Sequence, residues 1–306
     1  MSFLVERPPE QYDRAAFSGF NTSDTFNLGN ARAMMWMSQL AYETHVPATL
    51  DAISKLWRLS DVRVLSKPAV SSLPMTDTRG VIAKKDDATI VAFAGTDPLH
   101  LLNWISDFTL GRPQAAVHEG FRDAAAAVWN DVKDALTAAL ASGSPIFITG
   151  HSLGAAIAVV TADSARRELQ LGKAQIYLFD CPRVGRADFV APYDITFGST
   201  TYRVVHGADI VPTVPPPLLG FHHVGGYLGC ASGKKFSAGP AMPAFGSDEP
   251  AANAGLGQQL RDLFVGTSQN ARTDTLGNLT VLLPPGIGDH LPDRYCAALT
   301  PAQAGA

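Results

Sequence analysis

Apolar positions along this chain follow two rhythms that alternate. Short unbroken apolar runs bounded by turn formers give way to longer stretches in which apolar residues recur every three or four positions. The first rhythm predicts buried strands and the second predicts amphipathic helices. A helix is expected over 31–42, buried through Met34, Met35, Met37 and Leu40, with the methionines read as core packing. Strands follow at 79–84 and 88–94, joined by a turn at Asp86-Asp87. Asp97 then reads as an N-cap with Pro98 at the first helical position. The helix they start would carry Leu99, Leu101, Leu102, Trp104, Ile105 and Phe108. A long Ala-rich helix is predicted from Phe121 to Ala141, then a strand at 146–148 and a helix from Leu153 to Leu171 closed by Gly172. Further strands are expected at 175–179, 202–205, 223–228 and 279–283. Residues 229–275 are rich in Gly, Ala, Pro and Ser and read as a long irregular loop with one short helix near 260–265.

Strands alternating with helices predict an α/β fold: a mainly parallel central sheet covered by helices on both faces. No internal repeat or linker divides the chain, so 1–306 reads as one domain.

Composition narrows the function classes. Apolar residues make up 46% and charged residues 17% of the chain, with a formal net charge of −4 and scattered basic residues. That balance gives no electrostatic footprint for nucleic acid, and no apolar run is long enough to span a bilayer. Cys181, Cys230 and Cys296 lie far apart without metal-ligand spacing. A reducing compartment fits them best, and one disulfide plus a thiol is the other option. The first seventeen residues carry five charges and lack the apolar core of a signal peptide. The expectation is therefore cytoplasmic, or secreted if a leader was removed. The sequence carries no mark of oligomeric state.

The chemistry concentrates at Gly150-His151-Ser152-Leu153-Gly154, between a buried strand and an Ala-rich helix. Gly-x-Ser-x-Gly is weak evidence alone, but in that setting it fits a nucleophile elbow, a tight turn holding a serine above the end of a sheet. The following helix aims its free N–H groups at the reacting centre. A serine there needs a base, and the base needs an orienting acid, in the chain order serine, acid, histidine. Eight histidines compete. His45, His100 and His118 precede the serine, and His151 is expected to point elsewhere. His206, His222 and His223 lie close to Asp209 in sequence. His290, in a loop beyond the last predicted strand, is the preferred base. Asp209, after the 202–205 strand, is the preferred acid, with Asp180 one strand earlier as the alternative. Asp289 is too close to His290 in sequence to orient it. Oxyanion donors are expected from the backbone of Leu153 and from the Gly95-Thr96 loop, where the Thr96 hydroxyl could add another.

Five blocks in one order resemble the class 3 lipase family, the fungal-type triacylglycerol lipases. They are Phe93-Ala94-Gly95-Thr96, Asn103-Trp104-Ile105-Ser106-Asp107, His118-Glu119-Gly120-Phe121, the elbow, and Asp209-Ile210-Val211-Pro212. Asp289-His290 with Tyr295 resembles the family's C-terminal histidine block. The resemblance implies an α/β-hydrolase fold and carboxylester hydrolysis of a lipid or ester substrate at a lipid–water interface, without cofactor or metal. It implies a Ser152–Asp209–His290 triad, Thr96 and Leu153 as oxyanion hole, and a mobile lid at about 97–110 whose apolar residues meet acyl chains. The same scaffold resembles phospholipase A1 and feruloyl esterase enzymes. A non-catalytic lipid-binding protein on a hydrolase fold is the reading from another class. Two departures stand out: Ala94 where the family usually has Arg, and Asp180-Cys181 before Pro182-Arg183-Val184-Gly185, where a small residue is usual.

Overall fold

The computed structural model describes residues 5–68, 77–96, 101, 115–236 and 285–301. Among them, seven strands form one sheet in the order β1 (Ser60–Pro68), β2 (Asp77–Lys85), β3 (Ala88–Phe93), β4 (Ile146–His151), β5 (Gln175–Phe179), β6 (Thr201–His206) and β7 (Gly226–Cys230). The first three run antiparallel, and β3 to β7 are parallel. The expected mainly parallel sheet is present.

Side-chain alternation divides the core in two. Along β3, β4 and β5, Val91, Phe93, Ile146, Ile148, Ile176 and Leu178 face one apolar cluster. Ile90, Ala92, Phe147, Tyr177 and Phe179 face the other. Successive residues of a strand point to opposite faces, so a run that is apolar throughout marks a strand covered on both sides. The helices divide accordingly. α1 (Leu28–Leu40) and α2 (Pro47–Trp57) belong to the second cluster, while α3 (Ala115–Ser142), α4 (Leu153–Glu168) and α5 (Ala187–Phe197) cover the first. α6 (Pro292–Leu299) returns to the α1 side through Tyr295, Cys296 and Leu299. Parallel strands laid down in sequential order keep right-handed crossovers on one face. The opposite face is closed by segments near the two ends of the chain.

Several elements lie outside the sequence expectations, each for a physical reason. β1 is an edge strand with Leu65 its one buried side chain, so it shows no apolar run. α5 contains Pro192, which reads as a breaker. α6 is only eight residues, begun by Pro292 at its first turn. β7 starts at Gly226 rather than 223, because Gly225 holds φ 63° just before it. α4 ends before Gly172: Gln170 takes the left-handed position (φ 55°), and the Leu171 N–H reaches back to the Ala165 carbonyl at 3.2 Å. Of the 97–110 lid, Leu101 is described beyond Gly95-Thr96, and the expected helix near 260–265 and strand at 279–283 lie outside the described residues.

No disulfide joins Cys181, Cys230 and Cys296. No helix among the described residues is long and apolar enough to cross a membrane.

Candidate active site

The C-terminal ends of four adjacent parallel strands meet at one place. β3 delivers Gly95-Thr96, β4 delivers Ser152, β5 delivers Asp180 and β6 delivers Asp209. Loops at the carboxyl ends of parallel strands are where such sheets gather reactive groups.

Ser152 sits between β4 and α4 with φ 60° and ψ −132°, a conformation that costs a non-glycine residue strain. Its neighbours make the turn possible. A Cβ on Gly150 would strike the Gly154 carbonyl, and one on Gly154 would lie 2.6 Å from the Phe93 and Ala94 backbone. The Ser152 N–H donates to the Phe179 carbonyl at 3.0 Å and to Asp180 Oδ1, so the elbow is pinned to the end of β5. Leu153 is the first residue of α4, with its N–H among those free at a helix start. Gly95 comes so close that an added Cβ would lie 2.7 Å from the Ser152 Cβ and from the Tyr42 hydroxyl, and Thr96, next in the chain, is buried.

His290 completes a relay. Its Nε2 lies 3.0 Å from Ser152 Oγ, and its Nδ1 lies 3.1 and 3.2 Å from the two oxygens of Asp209. Asp209 Oδ1 also accepts from the Val211 N–H at 3.0 Å, and Oδ2 accepts from the Tyr295 hydroxyl at 2.7 Å. The Tyr295 oxygen in turn accepts from the His206 N–H at 3.0 Å. The histidine loop is clamped to the acid loop by its neighbour: Asp289 accepts from the Ala208 N–H at 2.9 Å and from the Ser232 hydroxyl at 2.8 Å. Asp289 therefore holds the loop rather than the ring.

The structure brings the alternative acid to the same ring. Asp180 Oδ2 is 2.8 Å from His290 Nδ1 and 2.9 Å from His151 Nε2. It accepts no directed hydrogen bond from either, so the Nδ1–H points at Asp209 while Asp180 lies beside it. His151 turns away from the serine hydroxyl, as expected, but its ring supports the site. Its Nε2 faces the His290 carbonyl at 3.0 Å as well as Asp180, so that nitrogen carries the proton, and the Tyr42 hydroxyl meets Nδ1 at 2.7 Å. Sequence reasoning missed His151, Tyr42 and Asp289 as supports; the signal in each case was only proximity to a candidate.

Electrostatics follow from burial and crowding. Ser152 is 0% and His290 1% exposed. Burial raises the Asp209 carboxyl well above the usual range; His290 opposes this, and the second carboxylate at Asp180 adds to it. Burial also works against charge on Asp180, but the His151 and His290 rings outweigh it and hold that carboxyl low. For His290, burial disfavours the charged ring, yet Asp180 and Asp209 together outweigh it and raise the imidazole. His151, Asp180 and His290 also have their ligand-type atoms within 4.8 Å of one another, the spacing of a potential metal-holding group among the described residues. They contact each other directly, which is closer than ligands spaced around a zinc ion at about 2.0–2.1 Å.

A family profile described as lipase (class 3) matches residues 90–219. Over that stretch, the chain is similar to the class 3 lipase family. It is 34% identical over 176 residues to the secreted mono- and diacylglycerol lipase 1 of Fusarium solani, covering 53% of this chain and 51% of that protein. It is 34% identical over 166 residues to a lipase of Rhizomucor miehei, covering 49% and 44%. The chain thus matches about half the length of these curated relatives. Among solved structures, it is similar to a triacylglycerol lipase whose catalytic centre is described as a serine protease triad (27% identity, TM-score 0.51, 66% of this chain and 79% of that one). It is also similar to lipase II from Rhizopus niveus (25%, TM-score 0.52, 68% and 83%). These likenesses carry the α/β-hydrolase fold. The class 3 stretch includes Thr96, Ser152, Asp180 and Asp209, whereas His290 lies beyond it and is placed by geometry. The Fusarium relative is secreted by its name, and none of these relatives supports the cytoplasmic expectation.

Proposed function

We propose that this chain is a serine carboxylester hydrolase that cleaves acylglycerols. The observation that carries the reading is the relay from Ser152 Oγ through His290 to Asp209, with hydrogen-bond distances of 3.0 and 3.1 Å. His290 Nε2 takes the proton of Ser152 as Oγ attacks the ester carbonyl. The oxyanion forms beside the Leu153 N–H and Thr96, where fixed donors lower the barrier without reorganising. The protonated ring returns the proton to the leaving alcohol. Water, deprotonated by the same nitrogen, then releases the fatty acid. Asp209 keeps the ring in the tautomer that leaves Nε2 free to accept, and the Tyr295 hydroxyl holds Asp209 in turn. The acylglycerol lipases among the relatives support the substrate class.

Because Ser152 is 0% exposed, an ester reaches it only after a rearrangement. The 97–110 segment is the element we assign to it. Leu101 is fully buried within the same apolar cluster as Leu153 and Phe121. Uncovering large apolar side chains in water costs about 1.5–3 kcal/mol each, a cost that a lipid surface offsets. Short-to-long p-nitrophenyl esters and an emulsified mid-chain triglyceride, given to the purified chain, test both points. We expect turnover of the esters, and a jump in triglyceride hydrolysis as substrate passes its solubility limit. Trp104→Ala should lower emulsion activity more than activity on a soluble short ester. No turnover of any ester would remove the enzyme reading. A smooth curve through the solubility limit would remove the lid and leave an esterase.

A further inference from the structure

We propose that Asp180 is a second carboxylate of the base, a positioning residue that holds the Ser152 amide with one oxygen and flanks His290 Nδ1 with the other. Its effect on rate rests on the ester-hydrolase reading, whereas its effect on the ring's charge does not. The class 3 pattern usually has a small residue in this segment, and here a carboxylate stands in left-handed backbone at φ 50°, fully buried. That placement is unfavourable three times over: a Cβ in the left-handed region, a charge out of water, and an oxygen with no directed hydrogen bond. What offsets it is the company the carboxylate keeps. Oδ1 accepts from the Ser152 N–H, and Oδ2 lies 2.8 Å from His290 Nδ1.

The groups facing His290 come from every element around it. They are Ser152 at the start of α4, His151 at the end of β4, Asp180 after β5 and Asp209 after β6. Tyr295 of α6 reaches the ring through Asp209 and Tyr42 through His151. When the Ser152 proton moves to Nε2 as the Oγ–carbon bond forms, the ring becomes an imidazolium between two carboxylates. Neither acid needs to take a proton. Asp180 thus raises the ring's basicity together with Asp209 and holds the elbow in register with it.

The base must be neutral to act, so a more basic ring places the acid limb of kcat/KM at higher pH. Asp180→Asn keeps an amide oxygen for the Ser152 N–H and removes the charge. The limb should then move to lower pH by about one unit or more. The titration of His290, followed by NMR and assigned by its loss in His290→Gln, should move with it. A double variant with Asp209→Asn should lose at least about tenfold more kcat than Asp209→Asn alone, because the remaining carboxylate is gone. If Asp180→Asn does not fold, Asp180→Gly, which relieves the left-handed backbone, should show the same shift. An unmoved His290 titration in either folded variant would overturn the proposal. The NMR titration needs no substrate. A shifted ring in a protein that hydrolyses no ester would keep the charge assignment and sink only the functional reading.

Discussion

Ser152, Asp209 and His290 were each legible as candidates because their settings are local. The glycines beside Ser152 show the tight turn, and Asp209 follows a strand. His290 was reached by weighing the other histidines against it. What sequence could not show is which way side chains turn once strands lie side by side. Asp180 and Asp209 end neighbouring strands, and only the parallel pairing of β5 with β6 reveals that both reach one imidazole. The supporting role of His151 was missed for the same reason: its ring turns toward the His290 carbonyl, 139 positions away in sequence. Thr96 offers a prediction at this scale. Thr96 is buried and directly follows Gly95, which packs against Ser152, and Thr96→Val keeps its shape while removing the hydroxyl. If that hydroxyl is a donor to the oxyanion, kcat should fall by about a hundredfold to a thousandfold with KM little changed. A change in KM alone would make Thr96 a substrate contact instead.

Elements buried on both faces were the readable ones. β3, β4 and β5 are apolar throughout because apolar clusters cover both their sides. β1 escaped notice because an exposed edge strand needs no such run. α5 was not expected, and Pro192 inside it is a residue that ordinarily interrupts a helix. The elbow is where element packing bears directly on chemistry, since α4 crosses β3 with no room for a side chain at Gly154. Gly154→Val should therefore push α4 away from the Phe93–Ala94 backbone. We expect a loss of about 1–3 kcal/mol or more in thermal unfolding, with ester turnover falling further than stability requires. A variant with wild-type Tm and activity would show that the close crossing is not what holds the nucleophile.

At the scale of the molecule, sequential strand order leaves one sheet face to the crossover helices and the other to segments near the two chain ends. α1, from the N-terminal part, and α6, from the C-terminal part, share that second face. α6 follows His290 directly and carries Tyr295, so the segment that closes the sheet also ties His290 and Asp209 together. The α/β class was legible from the alternation of strands and helices. The closure was not, because it depends on contacts between chain regions more than 200 residues apart. The central claim is that Ser152 is the nucleophile of an ester hydrolase, and a long-chain alkyl phosphonate ester tests it most directly. The intact chain should take up one phosphonyl group, on Ser152, and lose ester turnover in proportion. Ser152→Ala should fold, bind no label and retain no more than a trace of turnover. Labelling at another residue, or turnover that survives Ser152→Ala, would contradict the account.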